Sequence, residues 1–488
     1  MTKLEDSYRA DSILKINDNL FKVKVDTYQQ QFSGIYRKRL QTLWPTLAKS
    51  AGKKWISTDN AISIVDKISN TIEGQGSIVI GTVFVSQTNK PSILEELSKS
   101  QWEDEKPLSK SYISDSQKFY LEDESGRFEI SFRDLPKNIV IVTGMVIATL
   151  GTVNGEGVFE AIDVVFPGFA KQKASFQSKT IDYKITDNGN TKNKTHENTN
   201  GKLVALVSGL GINLDSSKGE FRRQMLVDYI CGQLGSVNSK NTSSRITNLI
   251  IAGNSIDSNS SLFTKNENLN GEHNESQPDF DFIYEKLSKL GLEKTNDAKF
   301  QDTIVESKSE IEILDEYLSQ LNNCVNILLM PGETDPANST MPQQELHADI
   351  ILPISNEKNS LHSTTNPTSF EIDGISFLGT SGQNVTDISK CVEGPSLIEI
   401  AYSNVLSRII APTGPDTLAT YPSQNHDPFV LNSSPNVYFV GNMPYFDSKV
   451  FKDDNGVQIL IILVPKFTIS GEMVVLDLEH LSTQLISF

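Results

Sequence analysis

Imidazole and thiol side chains are scarce in this 488-residue chain, which has six histidines and three cysteines. Cys231, Cys324 and Cys391 are odd in number and far apart, so they build neither a disulfide framework nor a C-x-x-C motif, and a reducing compartment is expected. Basic charge is also short. The 44 Lys and Arg against 61 Asp and Glu give a net charge of −17, which repels a phosphate backbone instead of neutralising it. Sequence-independent DNA binding by the free chain is therefore disfavoured. Tyr36-Arg37-Lys38-Arg39 is the compact basic run near the N-terminus, and it reads as the solvated face of a helix in preference to a nuclear-localisation signal. No apolar run reaches the roughly 20 residues of a membrane helix. The most apolar stretches, Ile139 to Leu150 and Val457 to Val464, are rich in β-branched residues and read as buried strands. The charged start, Met1 to Ser7, lacks the apolar core of a signal peptide.

What is present divides along the chain. Residues 1–29 read as a tail, and residues 30–75 as a helical segment in which Phe32, Ile35, Tyr36, Leu40, Leu43, Trp44 and Leu47 recur at helical spacing. Residues 76–170 change to strands: Ser77 to Val85, Lys118 to Leu121, Arg127 to Phe132, Ile139 to Leu150 and Gly157 to Phe166. With turns at Glu124-Ser125-Gly126 and Asn154-Gly155, they fit a small barrel of the oligonucleotide/oligosaccharide-binding (OB) kind, interrupted by a short helical stretch at Ile93 to Leu97. Residues 171–201 are a polar linker without packing residues, read as disordered, and 258–278 a similar insertion. From 202 to 488, apolar runs alternate with helical patterns: Leu203 to Val207, a helix through Phe221 to Leu234, Asn248 to Ala252, a helix over Ile304 to Leu321, and Val325 to Met330. That order predicts an α/β layered domain, and the β-rich remainder would complete a second sheet of a sandwich.

Three of these strands end in loops of one kind: Val207-Ser208-Gly209-Leu210-Gly211, Ala252-Gly253-Asn254-Ser255-Ile256-Asp257 and Met330-Pro331-Gly332-Glu333-Thr334-Asp335. Their order and strand context resemble those of dinuclear metallophosphoesterases, where D-x-H, G-D-x-x-D and G-N-H-[DE] converge on two cations. The ligands differ. Gly209 and Gly211 stand for Asp and His, Asn254 for the bridging carboxylate, and Glu333 and Thr334 for Asn and His, while Asp257 and Asp335 remain. A later loop has Asn442 and Pro444 where two histidines belong, and Ser381-Gly382-Gln383 lies where a lone histidine would. None of His196, His273, His347, His362, His426 and His480 lies on a ligand loop. Gly209-Leu210-Gly211 also begins a dinucleotide fingerprint, but Leu214 replaces its third glycine. No catalytic residue, metal or cofactor is expected.

The stretches Leu121 to Arg127, Ala205 to Leu210, Ala252 to Ser255, Met330 to Pro336, Pro342 to His347, Ala411 to Leu418 and Asp427 to Val430 together resemble the B-subunit family of replicative DNA polymerases, of the polymerase delta type, over roughly residues 30 to 480. The Asn-rich linkers suggest a fungal member. The resemblance implies an α+β multidomain chain in which an OB-fold β-barrel precedes an inactive calcineurin-like phosphoesterase α/β sandwich. It implies a nuclear accessory subunit that grips the cysteine-rich C-terminal module of the polymerase delta catalytic subunit. A third regulatory subunit would link it to the sliding clamp, and the polymerase zeta catalytic subunit would be a second client. DNA would be met only indirectly, and no membrane at all. Candidate partner-facing aromatics are Tyr421, Phe429, Tyr438, Tyr445 and Phe446. Two rival readings are a metal-dependent phosphodiesterase with a degenerate site, and a single-stranded-DNA-binding OB protein. The second is weakened by Glu122, Asp123, Glu124 and Glu129 beside the barrel aromatics.

Overall fold

The computed structural model describes residues 9–17, 19–23, 31–56, 62–90, 111–114, 116–133, 139–173, 201–213, 217–257, 309–347, 352–355, 360–422 and 426–488. The helical stretch expected at Ile93 to Leu97, nearly all of the polar linker and the insertion 258–278 lie outside these residues.

The first element corrects the expectation of an N-terminal tail. Leu14–Ile16 (β1) pairs antiparallel with residues 370–372, Leu14 opposite Ile372, and Phe21 is 1% exposed. A strand of three residues is too short to show alternation, so only the edge it completes reveals it. Helix α1 (Ser33–Ala51) follows and buries Ile35, Arg39, Leu43, Leu47 and Ala51, a stripe at intervals of four. Trp55 beyond it is buried, with its indole N–H donating to Asp163 Oδ2 at 2.9 Å.

The barrel comprises β2 (Ser63–Val65), β3 (Ser77–Ser86), β4 (Lys118–Glu122), β5 (Arg127–Phe132), β6 (Val146–Val153) and β7 (Phe159–Val165). Strand β3 bonds β6 through Ser77 to Thr82 and β4 through Thr82 to Ser86, which closes β3-β4-β5-β7-β6 into a ring; β2 lies parallel to the start of β3. Asp123 makes the β4–β5 turn, its Oδ1 accepting the N–H groups of Ser125 (2.6 Å) and Gly126 (3.0 Å). The strand expected from Ile139 starts later, at Val146. Gly144 turns the chain there with φ +85°, a conformation that side-chain-bearing residues rarely adopt.

Beyond the linker come β8 (Leu203–Val207), α2 (Ser217–Ile230), α3 (Val237–Ser244), β9 (Ile246–Ala252), α4 (Glu310–Asn322) and β10 (Asn326–Met330). Then follow β11 (Leu361–Ser363), β12 (Thr368–Ile372), β13 (Ile375–Thr380), α5 (Gln383–Cys391) and α6 (Leu397–Leu406). The chain ends with β14 (Val437–Met443), β15 (Asp447–Lys452), β16 (Gln458–Pro465), α7 (Phe467–Ser470), β17 (Glu472–Asp477) and β18 (Thr483–Ser487). Capping boxes start α4 (Ser309, Glu312) and α6 (Ser396, Glu399). The strands form two six-stranded sheets, β11-β10-β9-β8-β17-β18 and β1-β12-β13-β14-β16-β15. The central parallel strands β8, β9 and β10 carry apolar residues on both faces because both are covered. Val204, Leu206, Ile250 and Leu328 meet Phe370, Phe377 and Phe439 of the facing sheet, whereas Leu203, Ala205 and Val207 lie under Leu226, Ile230, Leu314 and Leu318.

Barrel and sandwich share a core. Leu43 and Leu47 of α1, Ile78, Val146 and Ala148 of the barrel, and Ile400, Val405, Phe429, Tyr438 and Ile461 of the sandwich belong to one buried cluster. At its heart is Arg39, 0% exposed, which corrects the reading of the basic run as a wholly solvated face. Its Nε donates to Asp427 Oδ2 at 2.6 Å, Nη1 to the carbonyls of Gly144 and Pro412 at 3.0 Å each, and Nη2 to that of Gly414 at 3.2 Å. The guanidinium thus joins helix, barrel and sandwich, and no Cβ fits at Gly144, where it would fall 2.0 Å from Pro412 O.

Arg39→Ala leaves Asp427 buried without its cation and is expected to lower stability by about 3–5 kcal/mol, read from urea unfolding. A loss below about 1 kcal/mol, the size of a surface pair, would contradict the joint.

Candidate functional site

Strands β8, β9 and β10 run parallel, so the loops after them meet at one edge of the sheet. Gly209 (φ +63°) and Gly211 (φ +52°) lay the first loop along the second, donating to the carbonyls of Gly253 (2.9 Å) and Asn254 (3.1 Å). A Cβ at 209 would lie 2.5 Å from Lys466 Cγ and 2.8 Å from Asn442 Oδ1; one at 211 would lie 2.4 Å from Thr468 Cγ2. Space as well as chemistry excludes a ligand side chain at both.

The other loop residues are committed to one another. Asn254 is buried with φ +55°, and its Oδ1 accepts the Thr334 N–H at 3.4 Å. The Thr334 hydroxyl donates to Ile256 O at 2.5 Å, and Glu333 points into solvent. Asp257 accepts from Asn213 Nδ2 at 2.9 Å. Asp335, 4% exposed, has both oxygens occupied, Oδ1 by Ile256 N–H (3.0 Å) and Oδ2 by Gly332 N–H (2.8 Å). Burial pushes its pKa up to about 6, against these backbone donors, which favour the charged form.

From the facing sheet comes Asn442, with φ +56°. Its backbone N–H donates to Ser208 Oγ at 2.8 Å, and Nδ2 to the carbonyls of Ala252 (3.2 Å) and Ser381 (2.9 Å). Pro444 is exposed two residues on. Beside it lies an amide cluster that the loops alone did not reveal: Asn366 Nδ2 is 2.8 Å from Gln343 Oε1, 2.9 Å from Ser381 Oγ and 2.9 Å from Gln383 Oε1. Gln343 Nε2 donates onward to Gly332 O at 3.0 Å. Gln343 lies within Pro342 to His347, one of the distinctive stretches, but nothing in the sequence places Asn366 beside it. The geometry brings together Gly209, Gly211, Asn254, Thr334, Asp335 and Asn442, leaves Asp257 and Glu333 at the margin, and sets neutral amides where charges would be needed for cations. Among the described residues no group of three or more His, Cys, Asp or Glu is placed to hold a metal.

Two proposed aromatic anchors are corrected. Tyr438 and Phe429 are 0% and 1% exposed, because both fill the core shared with the barrel; Tyr438 Oη accepts from Asn384 Nδ2 at 3.1 Å. Tyr421 and Phe446 are half-buried, and Tyr445 is 46% exposed beside the edge.

Two family models match: the DNA polymerase delta subunit OB-fold domain over residues 31–164, and the DNA polymerase alpha/epsilon B-subunit over residues 204–448. A DNA polymerase delta small subunit of Arabidopsis thaliana is 33% identical over 474 residues, covering 96% of this chain and 94% of the relative. The chain belongs to the DNA polymerase delta small-subunit family. The small subunit of Saccharomyces cerevisiae is 28% identical, over 96% and 93% of the two chains, and that of Oryza sativa 30%, over 96% of each. Both plant proteins are more alike to it than the yeast one, so these identities do not favour the expected fungal affiliation. A DNA polymerase II small subunit from Pyrococcus furiosus matches at 26% over 163 residues, 32% of this chain and 25% of the relative. In this delta-family chain, the OB-fold match takes in α1 with the barrel, and the B-subunit match takes in all three strand-end loops.

Two outcomes follow. Gly209→Asp combined with Gly211→His, which introduces the ligand types of a dinuclear metallophosphoesterase, is expected to destabilise the protein by at least about 2 kcal/mol and to leave manganese unbound in calorimetry; a stable, manganese-binding variant would contradict the collapsed edge. Because burial raises the Asp335 pKa, the contribution of its protonated form is complete below pH about 4 and lost as pH rises through about 6. Asp335→Asn does not titrate, so its stability relative to the native chain should rise by up to about 3 kcal/mol between pH about 4 and 7. A difference that stays flat with pH would contradict the raised pKa.

Proposed function

We propose that this chain is the non-catalytic accessory subunit of DNA polymerase delta, a protein-binding scaffold whose phosphoesterase-like edge carries no chemistry of its own. The observation that carries this reading is the pattern of replacement at that edge. Gly209, Gly211, Asn254, Thr334, Asn442 and Pro444 stand at ligand positions while the strands that present them are kept, and Asp335 has become an acceptor for backbone N–H groups. A frame retained without its ligands points to binding as the selected property.

On this reading, the helical segment 30–75 and the barrel 76–170 join an inactive calcineurin-like phosphoesterase unit, 202–488, in one body. The body holds the cysteine-rich C-terminal module of the catalytic subunit, and a third regulatory subunit connects it to the sliding clamp. The catalytic subunit of translesion polymerase zeta is a second client, and the nucleus is the site of action. Exposed Tyr445 and Pro444 at the rim are the surface offered, followed in the chain by half-buried Phe446, while half-buried Tyr421 lies beside Met341.

The face of the barrel fits a protein better than a nucleic acid. Arg127 lies over the rings of Phe84 (5.5 Å) and Tyr120 (5.0 Å), and is itself paired with Glu122 at 2.9 Å, while Lys118 is paired with Glu129 at 2.8 Å. The aromatic faces are covered and the cations are matched by acids, which removes both elements of a single-strand platform.

Affinity purification of the full chain with mass spectrometry is expected to recover a large polymerase chain and a third subunit, and Tyr445→Ala to weaken that capture roughly tenfold. Recovery of the chain alone would overturn the assignment. Manganese-dependent diester hydrolysis abolished by Asp257→Ala would instead establish the enzyme reading.

A further inference from the structure

The outer helical layer of the sandwich holds a pair of cysteines for which the proposed scaffold role gives no account. Cys231 is the first residue beyond α2, its N–H donating to Val227 O at 2.8 Å, and Cys324 lies in the turn between α4 and β10, its N–H donating to Leu321 O at 2.8 Å. Arg9 lies across both helix ends. Its Nη1 donates to Cys324 O at 2.9 Å and to Ile246 O at 3.3 Å, and its Nη2 to Ile230 O. One planar guanidinium holds the carbonyl just before Cys231 and the carbonyl of Cys324, so the two cysteines are pinned side by side. The Cys231 thiol donates to Gln320 O in the last turn of α4 at 4.0 Å, and it interacts with the Cys324 thiol.

We propose that Cys231 and Cys324 are a redox modification site, a dithiol that a peroxide converts reversibly into a disulfide joining α2 to the α4–β10 turn. Both residues are half-buried, within reach of a small oxidant. Interaction with Cys324 and burial hold the Cys231 proton, so the attacking sulfur is assigned to Cys324, whose carbonyl the Arg9 guanidinium holds. Attack of the Cys324 thiolate on the peroxide breaks the O–O bond, releases one water after proton transfer and leaves a sulfenic acid. The Cys231 sulfur then attacks it, the S–S bond forms, the S–O bond breaks and a second water leaves. Two thiols and one hydrogen peroxide thus give one disulfide and two waters, sulfur losing two electrons and peroxide gaining them. A thiol donor such as glutathione reverses the bond by exchange, as a reducing compartment requires. The loop closed by this bond contains residues 232–323, so oxidation should restrict the unfolded chain and raise the unfolding midpoint.

Cys391 is the internal control. It lies in α5 over the other sheet, its thiol donates to Asp387 O at 3.5 Å, and burial with nearby Asp387 and Asp416 pushes it up to about 12.

The test treats the full native chain with hydrogen peroxide and maps peptides by mass spectrometry without reductant. The expected result is a Cys231–Cys324 link with Cys391 still a free thiol, a higher urea midpoint, and reversal of both by dithiothreitol. Cys231→Ser and Cys324→Ser should each abolish the link and the stabilisation, whereas Cys391→Ser should leave both. The same treatment in urea should lose this selectivity. Three free thiols after treatment, a link through Cys391, or overoxidation of both cysteines without a bond would each overturn the proposal.

Discussion

A single buried guanidinium fixes how the two halves of this molecule meet. Arg39 enters from α1, takes the Gly144 carbonyl from the barrel and the Pro412 and Gly414 carbonyls from the sandwich, and completes its contacts on the Asp427 carboxylate. Apolar burial around it is large but has no direction; the shared core would tolerate the barrel rotated or shifted against the sandwich. The ion pair does not. Removing both charges from water is costly, and the arrangement is stable because the planar fork finds four acceptors while Asp427 Oδ1 also accepts the Phe429 N–H at 2.9 Å. The constraint extends to Gly144, whose missing side chain lets the Pro412 carbonyl approach.

That fixed geometry suits the scaffold role proposed above. At the loop edge, the sheet delivers three strand ends to one place, and the residues there pack until the space is closed. Glycine backbones pack where ligands would project, Asn442 ties Ser208, Ala252 and Ser381 together across the two sheets, and a Gln343–Asn366–Gln383 cluster fills the interior with neutral amides. Neutral groups cost less to bury than the carboxylates a dinuclear centre needs once the cations are gone. On the proposed scaffold reading, the absence of ligands and the rigidity of the edge go together.

The sequence made the frame legible more readily than the joint. Apolar runs ending in glycine loops place β8, β9 and β10 and their edge, and the alternating segments after Gly76 place the barrel strands, because both signals are local. Arg39 was obscured by its neighbours: within Tyr36 to Arg39 it looks solvated, and its partner lies 388 residues away. A signal was nonetheless present. Arg39 falls midway between Ile35 and Leu43 on the buried stripe, where a cation must be paired. Tyr438 and Phe429 look like loop aromatics until the barrel covers them, and Leu14 to Ile16 gives no period at all. In each case the missing information was tertiary: which surface lies opposite.

The central claim is that barrel and sandwich behave as one cooperative body through this joint. Native-state hydrogen exchange on the full chain across a urea series tests it most directly. The account predicts that amides of β3 and β6 in the barrel and of α6 and β16 in the sandwich merge into a single global opening with the same free energy and urea dependence. Barrel amides that open separately, at lower free energy and with a smaller urea slope while the sandwich stays protected, would contradict it.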